Sequence, residues 1–156
     1  IAAATVKAVE AQMGRAMRTL RDAGVPVGVM VAPVIPAITD PEMETILEAA
    51  RDAGAGAAGY VLLRLPHELK AIFRDWLAQR YPERAGHVMS LIRQMHGGKD
   101  YDPTFGKRMR GEGPFAQLLQ RRFSLAYARL GFGRLPPLRC DLFRAPAMPS
   151  PQGSLF

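Results

Sequence analysis

The tetrapeptide Arg21-Asp-Ala-Gly24 recurs 30 residues later as Arg51-Asp-Ala-Gly54. Each copy closes an amphipathic stretch, with its glycine where a helix C-cap belongs. Each is followed by an apolar run that stops at proline, over residues 25–36 and again over 58–66. Two helix–strand phases at this spacing predict successive units of a parallel sheet joined by helical crossovers. The first run shows no period-2 alternation, the pattern of a strand buried on both faces. In parallel α/β folds ligands sit at the carboxyl ends of strands, which directs attention to residues 33–40 and 63–67. A Rossmann-type sheet would satisfy the same repeat but normally carries a glycine-rich first turn, which this chain lacks, so a (β/α) barrel is the preferred reading.

The remaining punctuation is helical. Val6, Val9, Met13, Met17 and Leu20 recur at three- and four-residue steps and predict a helix over residues 5–23. Asp40 is placed as the cap of a second helix, with Pro41 at its first position and Glu42 and Glu44 in its first turn. Helices follow over 67–80, 83–95 and 115–130, separated by a long loop over 97–114. The predicted class is α/β: the C-terminal part of a partial (β/α) barrel, two parallel strands with helices, then a helical extension and a disordered tail. The corresponding segments are 1–96 for the barrel units, 97–130 for the basic loop and final helix, and 131–156 for a tail rich in proline and arginine. Because two parallel strands are not a stable unit on their own, partner strands are expected upstream of Ile1, in a longer protein.

Charge separates these segments. Residues 1–96 carry 11 Lys and Arg against 10 Asp and Glu, whereas residues 97–156 carry 10 against 4, out of a net +7 for the 156-residue chain. A basic segment of this kind suits an anionic partner, nucleic acid above all and DNA in particular. Lys107, Arg108 and Arg110, with Tyr101 and Phe105 nearby, and Arg121 and Arg122 on the final helix are the candidate phosphate and base contacts. No apolar run approaches the ~20 residues of a membrane-spanning helix. One cysteine, Cys140, excludes an internal disulfide and points to a reducing, cytoplasmic setting.

No catalytic triad, zinc motif or Walker loop is present, and His67, His87 and His96 share no metal-ligand spacing. Arg64 stands out, a cation near the end of an otherwise apolar strand, where it must either pair with a carboxylate or face a ligand. The terminal Gln152-Gly-Ser-Leu-Phe156, on its proline-rich leash, looks like the peptide that bacterial replication and repair proteins insert into the sliding clamp. In that reading Leu155 and Phe156 fill an apolar pocket and Gln152 hydrogen-bonds beside it.

The segment over residues 32–40 resembles the fifth strand of radical S-adenosylmethionine (SAM) enzymes. Their Gly-x-Ile-x-Gly-x-x-Glu pattern falls here on Pro33, Ile35, Ala37 and Asp40. Together with Gly59-Tyr-Val-Leu-Leu-Arg-Leu-Pro66, Met89-Ser-Leu-Ile-Arg93 and Arg108-Met-Arg-Gly-Glu-Gly-Pro-Phe115, it looks like the C-terminal half of the bacterial subgroup similar to spore photoproduct lyase, often labelled DNA repair photolyases. The resemblance implies a [4Fe–4S] cluster that cleaves SAM to a 5′-deoxyadenosyl radical, with Pro33, Ile35 and Ala37 beside the adenine and Leu63, Arg64 and Leu65 lining the same pocket. It also implies cluster cysteines that this chain does not contain, so this portion is expected to be inactive by itself. A second reading is a non-catalytic DNA-binding module recruited to the clamp, and a third an ordinary barrel enzyme with a phosphate-bearing substrate.

Overall fold

Both copies of the repeat end a helix through the same hydrogen bonds. Gly24 donates its N–H to Arg21 O (2.8 Å) and Val25 to Leu20 O (2.9 Å); Gly54 donates to Arg51 O and Ala55 to Ala50 O, both at 2.9 Å. The two glycines have φ of +75° and +101°, the left-handed conformation of this helix stop. The computed structural model describes residues 2–137, 140–141 and 143–145, with side chains from residue 11 onward.

The chain is α/β. Helix α1 (Ala2–Asp22) leads to strand β1 (Gly28–Val34), a 3-10 turn (Asp40–Glu42) and helix α2 (Met43–Asp52). Strand β2 (Ala57–Leu62) follows, then helices α3 (Leu69–Arg80), α4 (Pro82–Met95) and α5 (Gly113–Arg129). The two strands pair in parallel, Gly28 opposite Ala57 and Val31 opposite Tyr60, with the register shifting before Val34 meets Leu62. Among the described residues no helix is long and apolar enough to cross a membrane.

Two expectations need correction. Asp40 does not cap α2: it lies within the 3-10 turn, and its Oδ1 accepts the N–H of Ala37 (2.5 Å), closing the preceding turn instead. Nor is β1 buried on both faces. Val31 and Val34 are covered, but Met30 is 61% exposed, and Ala32 and Pro33 are exposed as well. The physical reason is that α2 and α5 pack on one side of the sheet. Val31, Val34 and Leu62 share a core there with Met43 and Leu47 of α2 and Ala116 and Leu119 of α5. The opposite face carries Met30, Ala32, Gly59 and Val61 by strand alternation, and the Met30 side chain lies across Gly59.

The start of the expected tail is also part of the body. Phe132 is buried in the sheet core, beneath the Arg51 guanidinium (5.7 Å to the ring), and Gly133 donates its N–H to Gly56 O (2.8 Å). A second core forms where α3 meets α4, from Leu65, Leu77, Val88, Met89 and Ile92. This second core lies under the carboxyl ends of both strands, with Ile35, Ala37 and Leu63 packed at its margin.

Candidate functional site at the strand ends

Beyond β1 the chain folds into a self-bonded turn. Ile35 O accepts N–H groups from Ile38, Thr39 and Asp40 (3.1, 3.0 and 3.3 Å), and Thr39 Oγ1 accepts the Ile35 N–H at 2.8 Å while donating to Pro33 O at 3.2 Å. Beyond β2, Leu63 N–H reaches back to Val34 O (3.0 Å), and Leu62 N–H bonds Met109 O (2.9 Å). The loop carrying residues 104–111 therefore lies along the end of β2. Gly111 seats it at φ +65°, where a Cβ would stand 3.0 Å from Met95 Cβ and 3.2 Å from Leu62 Cδ1.

Two non-glycine residues among those described have positive φ, Ala37 at +58° and His67 at +49°. Each occupies the turn that follows one of the two strands. Backbone held in this region is unfavourable for a residue with a Cβ and gathers at ligand-binding sites. The strand ends are thus the place where the fold stores local strain.

The structure brings most of the predicted cofactor residues together there. Ile35, Ala37 and Leu63 are half-buried around fully buried Leu65, with Tyr101 alongside. Pro33 stands apart, exposed at the edge of β1. For Arg64 the carboxylate partner left open by the sequence is not found among the described residues. Its Nη2 donates to Tyr101 Oη (3.2 Å), while its Nε is buried with no acceptor among the described residues.

Tyr101 in turn meets the ring of His96 edge-on, centroids 6.3 Å apart. His96, at the C-cap of α4, is 3% exposed, and its Nδ1 has no partner among the described residues. Burial lowers the imidazole pKa below the ordinary histidine value, opposed by the charge of Asp102, so the ring is neutral at pH 7. The loop holding Tyr101 is anchored by Asp100, which accepts from Arg93 Nε (2.9 Å) and from Arg74. Burial raises the Asp100 pKa, but the two guanidiniums prevail and hold its carboxyl below the usual range. Sequence reasoning did not connect His96 and Tyr101 to Arg64. The pairing spans 37 residues, and no local pattern announces it.

The predicted nucleic-acid contacts divide sharply. Arg108 stacks on Phe105 (5.4 Å to the ring centroid), and that ring is 87% exposed. Arg110 has no ion pair among the described residues and lies near Tyr60, where its charge opposes the upward push of burial on the phenol. Arg121 is exposed, and Lys107 is paired with Glu112 at 2.9 Å. Arg122 is only partly exposed and is engaged by carboxylates. Its Nε and Nη2 donate to both carboxylate oxygens of Glu44 (2.8 and 2.7 Å), its Nη1 to Asp40 Oδ2 (3.0 Å) and its Nη2 to Asp40 O (2.8 Å). The fork ties α5 to the turn before α2, and the Arg122 hydrogen bonds hold the Glu44 pKa down against burial. Gln152, Leu155 and Phe156, the clamp-like contacts, lie outside the described residues.

Among the described residues no three His, Cys, Asp or Glu side chains are grouped to hold a metal, and Cys140 is exposed. Comparison of the chain with protein-family models, with curated proteins and with solved structures gives no match in any of the three.

Proposed function

We propose that this chain is the C-terminal portion of a radical SAM barrel, contributing the adenine side of the cofactor pocket and part of a nucleic-acid-binding rim. The observation that carries the reading is Ala37. The resembled pattern places glycine there, the residue for which φ above zero costs least, and the backbone at Ala37 sits at +58°. Asp40, at the acidic position of the same pattern, accepts the Ala37 N–H and so braces that conformation.

The bare sheet face supports a barrel. Met30, Ala32, Gly59 and Val61 form an apolar surface on the face away from α2 and α5, as the interior of a closed barrel requires. An apolar groove of about 330 Å³ between α1, β1 and α2, lined by Met13, Met17 and Met30, lies beside the same strand.

The residues fit an adenine: half-buried Ile35 and Leu63 supply apolar surface around buried Leu65. They do not fit the [4Fe–4S] cluster, which takes several cysteine thiolates where this chain has one. Bound to such a cluster, SAM is a source of a hydrogen-abstracting radical. The part of these residues is to hold the purine and to keep water from Leu65 and the core beneath it. Because Met109 O bonds Leu62 N–H, Arg108 and Arg110, which have no ion pair among the described residues, and the exposed Phe105 share the rim with the strand ends. A rim of that composition suits a phosphate backbone with a stacked base.

The test uses the natural reading frame, including whatever precedes Ile1, reconstituted anaerobically with iron and sulfide. A broad visible absorption and dithionite-dependent release of 5′-deoxyadenosine are expected, with Ile35→Asp weakening SAM binding about tenfold or more. A reconstituted protein that binds DNA but neither absorbs nor turns over SAM would overturn the enzyme and leave the DNA-binding module.

A further inference from the structure

Arg64 is partly exposed, but its Nε is buried and has no acceptor among the described residues. It cannot lose its proton, and a charged donor shielded from water needs an acceptor. Arg21, Arg74, Arg93, Arg122 and Arg129 each have a carboxylate within ion-pair distance. Arg64 has none among the described residues. Asp100, the acid preceding Tyr101, is taken by Arg74 and Arg93, so it leaves the charge of Arg64 uncompensated.

The hydrogen-bond partner of Arg64 among the described residues is itself a donor. Tyr101 Oη accepts from Arg64 Nη2 and keeps its own hydrogen free to give away. The tyrosine is fixed from behind by the edge-on ring of His96, itself buried, and the loop beneath is pinned by Asp100. Partly exposed Arg64 and the Tyr101 O–H therefore present donors side by side just beyond the carboxyl end of β2. An acceptor-rich anion complements such a set, and phosphate complements it better than a neutral group because the charge-assisted bonds are the strong ones.

We propose that Arg64 and Tyr101, with His96 positioning the tyrosine, form a phosphate-binding subsite at the end of β2. The subsite deepens the nucleic-acid reading and rests on it for the source of the phosphate, not for the existence of the site. Its position on the rim shared with Arg108 and Arg110 places one phosphate of a nucleotide chain at the strand ends and its neighbours along the basic loop.

The experiment uses the natural reading frame, and neither iron nor SAM takes part. Inorganic phosphate is titrated while the Arg64 Nε–H signal is followed by ¹H–¹⁵N NMR, with Arg122 Nε–H, engaged by Glu44, as the internal control. A saturable shift at Arg64 but not at Arg122 is expected. Arg64→Lys, which keeps the charge but not the fork, should weaken binding about tenfold or more, and Tyr101→Phe, which deletes one hydroxyl, about three- to tenfold. Thymidine 5′-monophosphate should compete for the site, and free methionine should not. No saturable shift at Arg64, or a Tyr101→Phe affinity equal to the parent's, overturns the subsite. Binding of methionine in place of phosphate overturns the phosphate assignment and gives the site to an amino-acid carboxylate. A shift of equal size at Arg122 reduces the effect to general salt. DNA binding that fails while phosphate binding persists would remove the nucleic-acid reading and leave the subsite standing.

Discussion

Replacing Arg122 with methionine keeps the length of the side-chain stem and removes the fork. Four hydrogen bonds disappear, three to carboxylate oxygens and one to the Asp40 carbonyl. Their worth differs with exposure. Asp40 is 6% exposed, so its Oδ2 loses an acceptor role it cannot recover from water, at about 1–3 kcal/mol. The Glu44 side chain is 31% exposed and rehydrates in part, so its share is discounted to about 1 kcal/mol. The sum is about 3 kcal/mol, which for a chain of this length lowers Tm by about 6–12 °C. Urea unfolding followed by circular dichroism, with the m-value unchanged, is the assay. Arg122→Lys should recover less than half of the loss, because a point charge cannot serve Glu44 and Asp40 together. A loss below about 1 kcal/mol for Arg122→Met would show that the fork is an ordinary surface pair and refute the reasoning.

Four further outcomes are expected. Gly111→Ala places a Cβ against Met95 and Leu62 at positive φ and should destabilise the chain by about 1–3 kcal/mol in the same urea assay; a neutral result would mean that the loop is not seated as described. Ala37→Gly relieves a left-handed alanine and should stabilise by about 0.5–1 kcal/mol after its unfolded-state entropy is counted, and a loss of stability would contradict the strain. Because burial depresses the His96 pKa, the unfolded chain binds that proton first; stability should be full above the ordinary value of 6.5 and decline as pH falls below it, and a His96→Gln variant should lose that part of the slope in a pH series of thermal melts. In titrations of a short single-stranded DNA, Phe105→Ala should cost about 1–3 kcal/mol and Arg108→Gln should reduce the salt slope by about one contact, whereas Arg122→Met should leave that slope unchanged.

What could be read from the sequence was what local chemistry decides. Arg-Asp-Ala-Gly encodes a helix stop in both copies, because the left-handed glycine and its two hydrogen bonds involve only neighbours in sequence. The strand-end turn was visible for the same reason. The errors arose where a distant partner decides. An apolar run in β1 looks alike whether both faces meet helices or one face stays bare. Arg121 and Arg122 are adjacent cations on one helix; Glu44 and Asp40, 78 and 82 residues away, separate a solvated one from a clamp. Arg64 stands out in the sequence as a cation in an apolar run, but β2 ends at Leu62, two residues before it, and Tyr101 reaches it through a loop whose course no periodicity encodes.

The bond from Leu62 N–H to Met109 O has a consequence for motion. Leu62 and Leu63 are consecutive residues, yet one amide is held by the basic loop and the other by Val34 of the neighbouring strand. Amide hydrogen exchange should therefore separate them: Leu62 exchanges whenever the 104–111 loop lifts, Leu63 only when the two strands part. The ratio of those two rates measures how often the rim opens without the fold coming apart.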